Sequence, residues 1–331
     1  MSGISFEASQ KTVGPLYTGK RKLSTVQGMT NALTQRLLTI GLPLLCWTLA
    51  WWMWPINQTL AIGWVVAPAV ITTALLAIQF LALIAVNRAD PTPRASMGEN
   101  LRAWWGEACA CILVFHWWQP FRRTAIADNL DAQSAADNQR GVVLLHGFFC
   151  NRAFWTHWLK RMQAEQRVFV AVDLEPAFGS IDAYTAAIDR AMRQVQQATG
   201  LAPVIVGHSM GGLAVRAWLI SNAAKGVGAV AVHRAITLGT PHHGTWTAKF
   251  SHTANGAQMK MHSAWLKRLF ENEKKPQNIQ FTCFYSNCDN IVFPVSSAKL
   301  EGADNRMVRN RGHIDMVHDP QVINACWVLM Q

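Results

Sequence analysis

Residues 1–36 are polar and basic, and then the character of the chain changes abruptly. LLTIGLPLLCWTLAWWMW (37–54) carries no charge, PINQT interrupts it, and LAIGWVVAPAVITTALLAIQFLALIAV (60–86) is uncharged again. The second run exceeds the roughly 20 residues that cross a hydrocarbon core, and the first is just long enough. Trp47, Trp51, Trp52 and Trp54 gather towards one end of the first run, as in an interfacial aromatic belt. The pattern predicts a two-helix hairpin in a membrane, preceded by a loosely ordered tail. A secretory signal is the alternative for the first run. Its late start, its lack of a small-residue cleavage site and the apolar run that follows argue against that. A third stretch, RAWWGEACACILVFHWWQPFRR (102–123), is apolar but contains Glu107 and His116 and ends in two arginines. It reads as an interfacial or domain-buttressing helix, with a third span as the alternative.

From about residue 140 short apolar runs alternate with amphipathic ones. GVVLLHGF predicts a strand running into a turn, NRAFWTHWLKRMQ a helix and RVFVAVDLEP a second strand. SIDAYTAAIDRAMRQVQQATG predicts a helix, with Ser180 as its cap and Gly200 as its stop. APVIVGHS, HRAITLGTP and IQFTCFYSNCDN supply the third, fourth and fifth strands, and MGGLAVRAWLISNAA a helix after the third. Short buried strands alternating with helices predict a parallel sheet covered on both faces. Such sheets collect functional residues at the carboxyl ends of their strands, and here those ends are polar.

Composition sharpens this picture. The 331 residues suffice for a full core beside the hairpin. Half of them are hydrophobic, 15 are Trp and only 15% are charged, which favours a membrane setting. The net charge of +11 gathers near the N-terminus and between Lys249 and Lys275. No nucleic-acid signature accompanies it, so anionic lipid heads are the expected partner and nucleic acid is not. Basic residues precede the first apolar run and follow the second (Arg88, Arg94, Arg102), whereas the turn between has none. Tail and C-terminal domain are therefore expected on the cytoplasmic side of an inner membrane. The seven cysteines (46, 109, 111, 150, 283, 288, 326) are odd in number and lack paired metal spacing, which points to reduced thiols.

The chemistry concentrates in VIVGHSMGGLAV. Gly207-His208-Ser209-Met210-Gly211 fits the G-x-S-x-G nucleophile elbow, preceded by strand residues and followed by a helix. The alternative, a phosphate-cradling loop, would need G-K-[ST] or Rossmann spacing, and neither is present; no cofactor is expected. His146-Gly147-Phe148 ends the first strand, where an oxyanion loop belongs, so the N–H groups of Phe148 and Met210 are the candidate oxyanion donors. Asp289 follows the fifth strand and His313 follows in GHIDMVHDP, giving the chain order Ser, Asp, His of the α/β-hydrolase arrangement. The acid would hold the imidazole tautomer and the imidazole would take the serine proton. Asp304, Asp315 and Asp319 are rival acids and His318 is the rival base, while Gly312 is read as leaving room for His313. His242 and His243 in GTPHHG point in divergent directions and lack a third ligand, so hydrogen bonding rather than a metal is expected of them.

With LLHGFFCN, LEPAFGSID, GHSMGGL, TLGTPHHGT, AQMKMHSAWLKRL, YSNCDNIVFP and GHIDMVHDP in this order, the chain from about residue 141 resembles bacterial lipase/esterase-like serine hydrolases of the α/β-hydrolase superfamily. The resemblance implies a triad of Ser209, Asp289 and His313, oxyanion donors at Phe148 and Met210, and a cap after the fourth strand. The hairpin is not part of that pattern. The expected organisation is a tail (1–36), a transmembrane hairpin (37–95), a connecting helix and linker (96–139), and a catalytic domain (140–331) with its cap at about 245–278. SAWLKRLF in the cap is amphipathic, either plain packing or an apolar lid over an acyl chain. The expected activity is cleavage of lipophilic carboxylic esters. Thioester hydrolysis and acyl transfer use the same triad, and a non-catalytic tethered protein would have lost a residue that is still present here.

Overall fold

The computed structural model describes residues 31–131, 139–273 and 279–331. The expectations for residues 1–30 of the tail and for 274–278 of the cap lie outside them. Six strands, β1 (Val142–Leu145), β2 (Phe169–Val172), β3 (Val204–His208), β4 (Arg234–Leu238), β5 (Gln280–Ser286) and β6 (Asp304–Val308), form one sheet in the order β2-β1-β3-β4-β5-β6. Every neighbouring pair is parallel. Alternation along the strands feeds two cores. Val143, Leu145 and Ile205 join one, under α6 (Thr185–Thr199) and α7 (Met210–Ala223). Val142, Leu144, Val204 and Val206 join the other, under α5 (Thr156–Ala164) and α11 (Pro320–Leu329). A strand buried on both faces must be apolar at every position, which is why the inner strands were legible.

The strand β6 was not expected from DNRMV, which holds the rival acid Asp304. It lies at the sheet edge beside β5, with exposed or half-exposed side chains, and Asp304 pairs with Arg306. An edge strand needs no apolar signal, only a free row of backbone groups to join.

Helices α1 (Asn31–Met53) and α2 (Gln58–Val86) form the hairpin and are long and apolar enough to cross a membrane. Cys46, Ala50 and Ala61 are buried where they touch, small residues that allow close approach. The remaining apolar side chains from Leu37 to Ile71 are largely exposed, unlike those of a core helix. Only the ends meet the sheet domain: Asn31, Ala32 and Gln35 at the start of α1, and Leu76, Phe80 and Leu83 on one face of α2 against Val292, Phe293 and Val295. Ahead of the apolar run, the polar side chains of Asn31 and Gln35 in α1 dock on protein.

A capping box of Ser96 and Glu99 opens α3 (Met97–Leu113), which continues through a π-turn (Val114–Trp118) into the short α4 (Gln119–Phe121). Ala103, Glu107, Val114 and Trp118 are buried against the domain, so the segment buttresses it. Trp118, within the stretch that also reads as an interfacial helix, packs edge-on to His157 and His318. In the cap, α8 (Ala254–Gln258) and α9 (Ala264–Glu273) follow β4; Trp265, Leu266 and Leu269 belong to the core with Leu213 and Ala214 of α7. That face of the cap is engaged in packing.

Candidate active site

Ser209 sits between β3 and α7 with φ +54° and ψ −126°, a conformation that costs an L-residue about 1–3 kcal/mol. Its own N–H donates to Leu238 O at 2.9 Å, which ties the turn to β4. Met210 is the first residue of α7, and the opening N–H groups of a helix have no acceptor within it. The helix start also favours negative charge beside Ser209.

His313 and Asp289 meet at the same end of the sheet. His313 Nδ1 lies 2.9 Å from Asp289 Oδ2, and both residues are buried. Asp289 Oδ1 accepts the N–H groups of Ile291 and Val292, which fixes the carboxylate in its loop. Burial works against a charged His313, but the Asp289 carboxylate, by charge and by hydrogen bond, together with Glu107, outweighs it, and the pKa is raised. His208, next to Ser209 in the elbow, approaches the carbonyl of His313 through Nε2 at 3.3 Å, with ring centroids 4.6 Å apart. Burial and the nearby His313 hold His208 neutral, so its Nε2–H donates. His208 thus joins the turn of Ser209 to the loop of His313.

The loop after β1 completes the constellation. A Cβ placed on Gly147 would stand 3.0 Å from Ser209 Cβ, so this backbone runs directly beside the serine. His146 Nε2 accepts the Leu174 N–H at 3.0 Å, which leaves Nδ1–H to donate to Gly147 O at 2.9 Å. Cys150 N–H reaches the same carbonyl. Because C=O and N–H of a trans peptide point in opposite directions, pinning the Gly147 carbonyl turns the Phe148 N–H away from His146. The rings of Phe148, Phe149 and Phe178 cluster here, with Phe149 stacked on Phe178 and Phe178 exposed.

The rival residues have other partners. Asp315 faces Arg311, and Asp319 caps α11 and binds Arg311 as well. The ring nitrogens of half-buried His318 are shielded and unbonded among Trp118, Phe154 and His157, and burial drives its pKa down to about 3. His242 Nε2 bonds Thr237 Oγ1 at 3.0 Å, while His243 stacks on Phe270. The seven cysteines are all free.

Two groups of residues near the site were missed. Asn290 accepts the His313 N–H through Oδ1 and donates Nδ2 to Gln79 of α2 at 2.8 Å. Glu107 of α3 accepts Ile314 N–H at 2.8 Å and Asp315 N–H at 2.9 Å. The room read as serving His313 at Gly312 belongs to this carboxylate: a Cβ there would stand 2.5 Å from Glu107 Oε2. Isolated polar residues in apolar helices were the available signal.

Residues 142–287 match the Alpha/beta hydrolase family. Among solved structures, the mature lipase of Bacillus licheniformis is 17% identical, with a TM-score of 0.51 over 59% of this chain and 94% of that one. Its propeptide form is 18% identical, with a TM-score of 0.51 over 58% and 50%. Lipase B of Aspergillus fumigatus is 16% identical, with a TM-score of 0.50 over 57% and 52%. The chain therefore spans about half of the latter two. No curated protein matches it. Sheet order, elbow and these likenesses identify the α/β-hydrolase fold.

Proposed function

We propose that this protein is a membrane-anchored serine hydrolase that cleaves lipophilic carboxylic esters through an acyl-enzyme on Ser209. The observation that carries this reading is the buried Asp289–His313 pair, linked through His208 to the turn that holds Ser209 at positive φ. With Nδ1 engaged by Asp289, His313 has Nε2 free to take the Ser209 proton as Oγ attacks the ester carbonyl. The oxyanion forms against Phe148 N–H and Met210 N–H, and its collapse expels the alcohol, which takes the proton from His313. Water, deprotonated by the same imidazole, then releases the acid and restores Ser209.

Two features favour lipophilic substrates at a membrane. Phe148, Phe149 and Phe178 form an aromatic cluster, and the first two follow Gly147, whose backbone runs beside Ser209. The apolar length of α1, residues 37–53, is about 26 Å at 1.5 Å per residue, close to the roughly 30 Å of a hydrocarbon core. Basic residues at both outer ends and none in the turn favour a cytoplasmic domain.

Turnover of p-nitrophenyl acyl esters by the full chain in detergent tests the reading. Ser209→Ala and His313→Ala should abolish turnover, and a fluorophosphonate probe should label only protein that retains Ser209. Wild-type turnover in those variants would end the proposal. Reporter fusions after Gln331 test the side: phosphatase activity there would place the domain outside and leave the chemistry untouched.

A further inference from the structure

The loops that carry the oxyanion donor, the acid and the base are each gripped by a polar side chain from a different N-terminal helix. From α1, Gln35 donates Nε2 to Phe149 O at 2.8 Å and accepts Asn151 Nδ2 at 3.0 Å, and Asn31 Nδ2 reaches Cys150 O at 2.9 Å. Phe149 has φ +54°, unusual for a bulky residue, and these bonds hold the strained segment just after Phe148. From α2, Gln79 accepts from Asn290, the neighbour of Asp289, and Asn290 in turn accepts the N–H of His313. From α3, Glu107 takes the N–H groups of Ile314 and Asp315, directly after His313.

A hairpin serving only as a tether needs no such bonds. Gln79 interrupts an apolar run, and a polar group at that depth is costly unless partnered. Glu107 is fully buried, and burial drives its carboxyl up to about 7. Its oxygens are matched to two backbone donors of the base loop. Gly312 is shaped to the same contact.

We infer that α1, α2 and α3 form a frame for the active site, with Gln35, Gln79 and Glu107 as positioning residues that hold the oxyanion, acid and base loops in register. This rests on the catalytic reading of Ser209, Asp289 and His313. The helices that enter the membrane are then coupled to the geometry of the site, and the enzyme works at full rate only with its hairpin docked. A displacement of about 1 Å in such a constellation can cost on the order of 100-fold in rate.

The test uses the full chain in detergent and a short-chain, water-soluble p-nitrophenyl ester, whose hydrolysis needs no membrane delivery. Gln35→Leu, Gln79→Leu and Glu107→Gln should each lower kcat by tenfold or more, with KM within about threefold of wild type, and should slow fluorophosphonate labelling of Ser209 in parallel. Gln79→Glu keeps an acceptor for Asn290 and should recover part of the loss. Ile78→Ala, on the exposed face of α2, serves as the control and should keep the wild-type kcat. Folded variants with wild-type kcat and labelling rates would overturn the frame, as would an equal loss in Ile78→Ala. If one variant fails to fold, the other two decide. A wild-type chain that neither turns over ester nor labels would instead remove the catalytic reading on which the frame rests.

Discussion

Asp289 and His313, 24 positions apart in the chain, share a 2.9 Å hydrogen bond in a nearly solvent-free pocket. The loop of Asp289 also holds the other end of the histidine, because Asn290 accepts the His313 backbone N–H at 3.1 Å. Ring and backbone of His313 are thus fixed by two consecutive residues, and the first of them sets its tautomer.

Replacing Asp289 with Asn should lower kcat by a factor on the order of 10⁴, as loss of the orienting carboxylate does in serine triads. The Asp289 charge and hydrogen bond raise the His313 pKa against the opposing effect of burial. Without them the imidazole stays neutral to lower pH, so the acid limb of the residual kcat/KM profile should move downward. An upward shift would show that another group sets that limb.

His318 should be dispensable. Neither of its ring nitrogens has a partner, and its pKa is driven down to about 3 by burial. In His318→Phe the aromatic contacts with Trp118 and Phe154 persist while two unsatisfied polar atoms disappear. Turnover should stay within about twofold, and stability should hold or rise by about 1 kcal/mol. Loss of turnover to the level of His313→Ala would make His318 the base instead.

A methyl group at Gly211 has nowhere to go. It would stand 2.5 Å from Leu145 O and 2.6 Å from His146 O, both backbone atoms leading into the oxyanion loop. Gly211→Ala should therefore cost about 1–3 kcal/mol in thermal unfolding and lower kcat by about 100-fold through displacement of that loop. Gly228→Ala, whose nearest neighbour would lie 3.9 Å away, should be silent by both measures.

Glu107 predicts a pH dependence of stability. Burial raises its pKa from 4.5 to about 7 in the folded protein. A carboxyl that holds its proton more tightly when folded stabilises the fold fully below its unfolded pKa and loses that contribution as pH rises through the folded value. Between pH 4.5 and 7 the wild type should therefore lose about 3 kcal/mol relative to Glu107→Gln, at 1.36 kcal/mol per unit of pKa difference. Unfolding of both proteins at pH 4.5 and pH 8 measures it; parallel pH profiles would show that Glu107 is not shifted.

Some of this protein was legible in its sequence because the relevant physics is local. The strand, turn and helix around Ser209 are contiguous, and the inner strands had to be apolar throughout because both faces are buried. The hairpin helices were readable for the same reason, being apolar over long uninterrupted runs. The edge strand β6 was not, since one-sided pairing asks nothing of its side chains.

What only the tertiary structure decided were the choices among residues of the same kind. Asp289, Asp304, Asp315 and Asp319 differ little as local sequence, yet Arg306 and Arg311 engage the latter three while Asp289 faces His313. His313 and His318 stand five positions apart, and only packing brings one to a carboxylate and the other into a ring of aromatics. Gln35 reads as part of the polar tail, and Gln79 and Glu107 as isolated polar residues in apolar runs, because their partners Phe149, Asn290 and Ile314 lie more than 100 residues away. Local patterning determines which segments become strands, helices and turns; which buried polar groups meet depends on how those segments pack, and burial without a partner is too costly for that meeting to be left to chance.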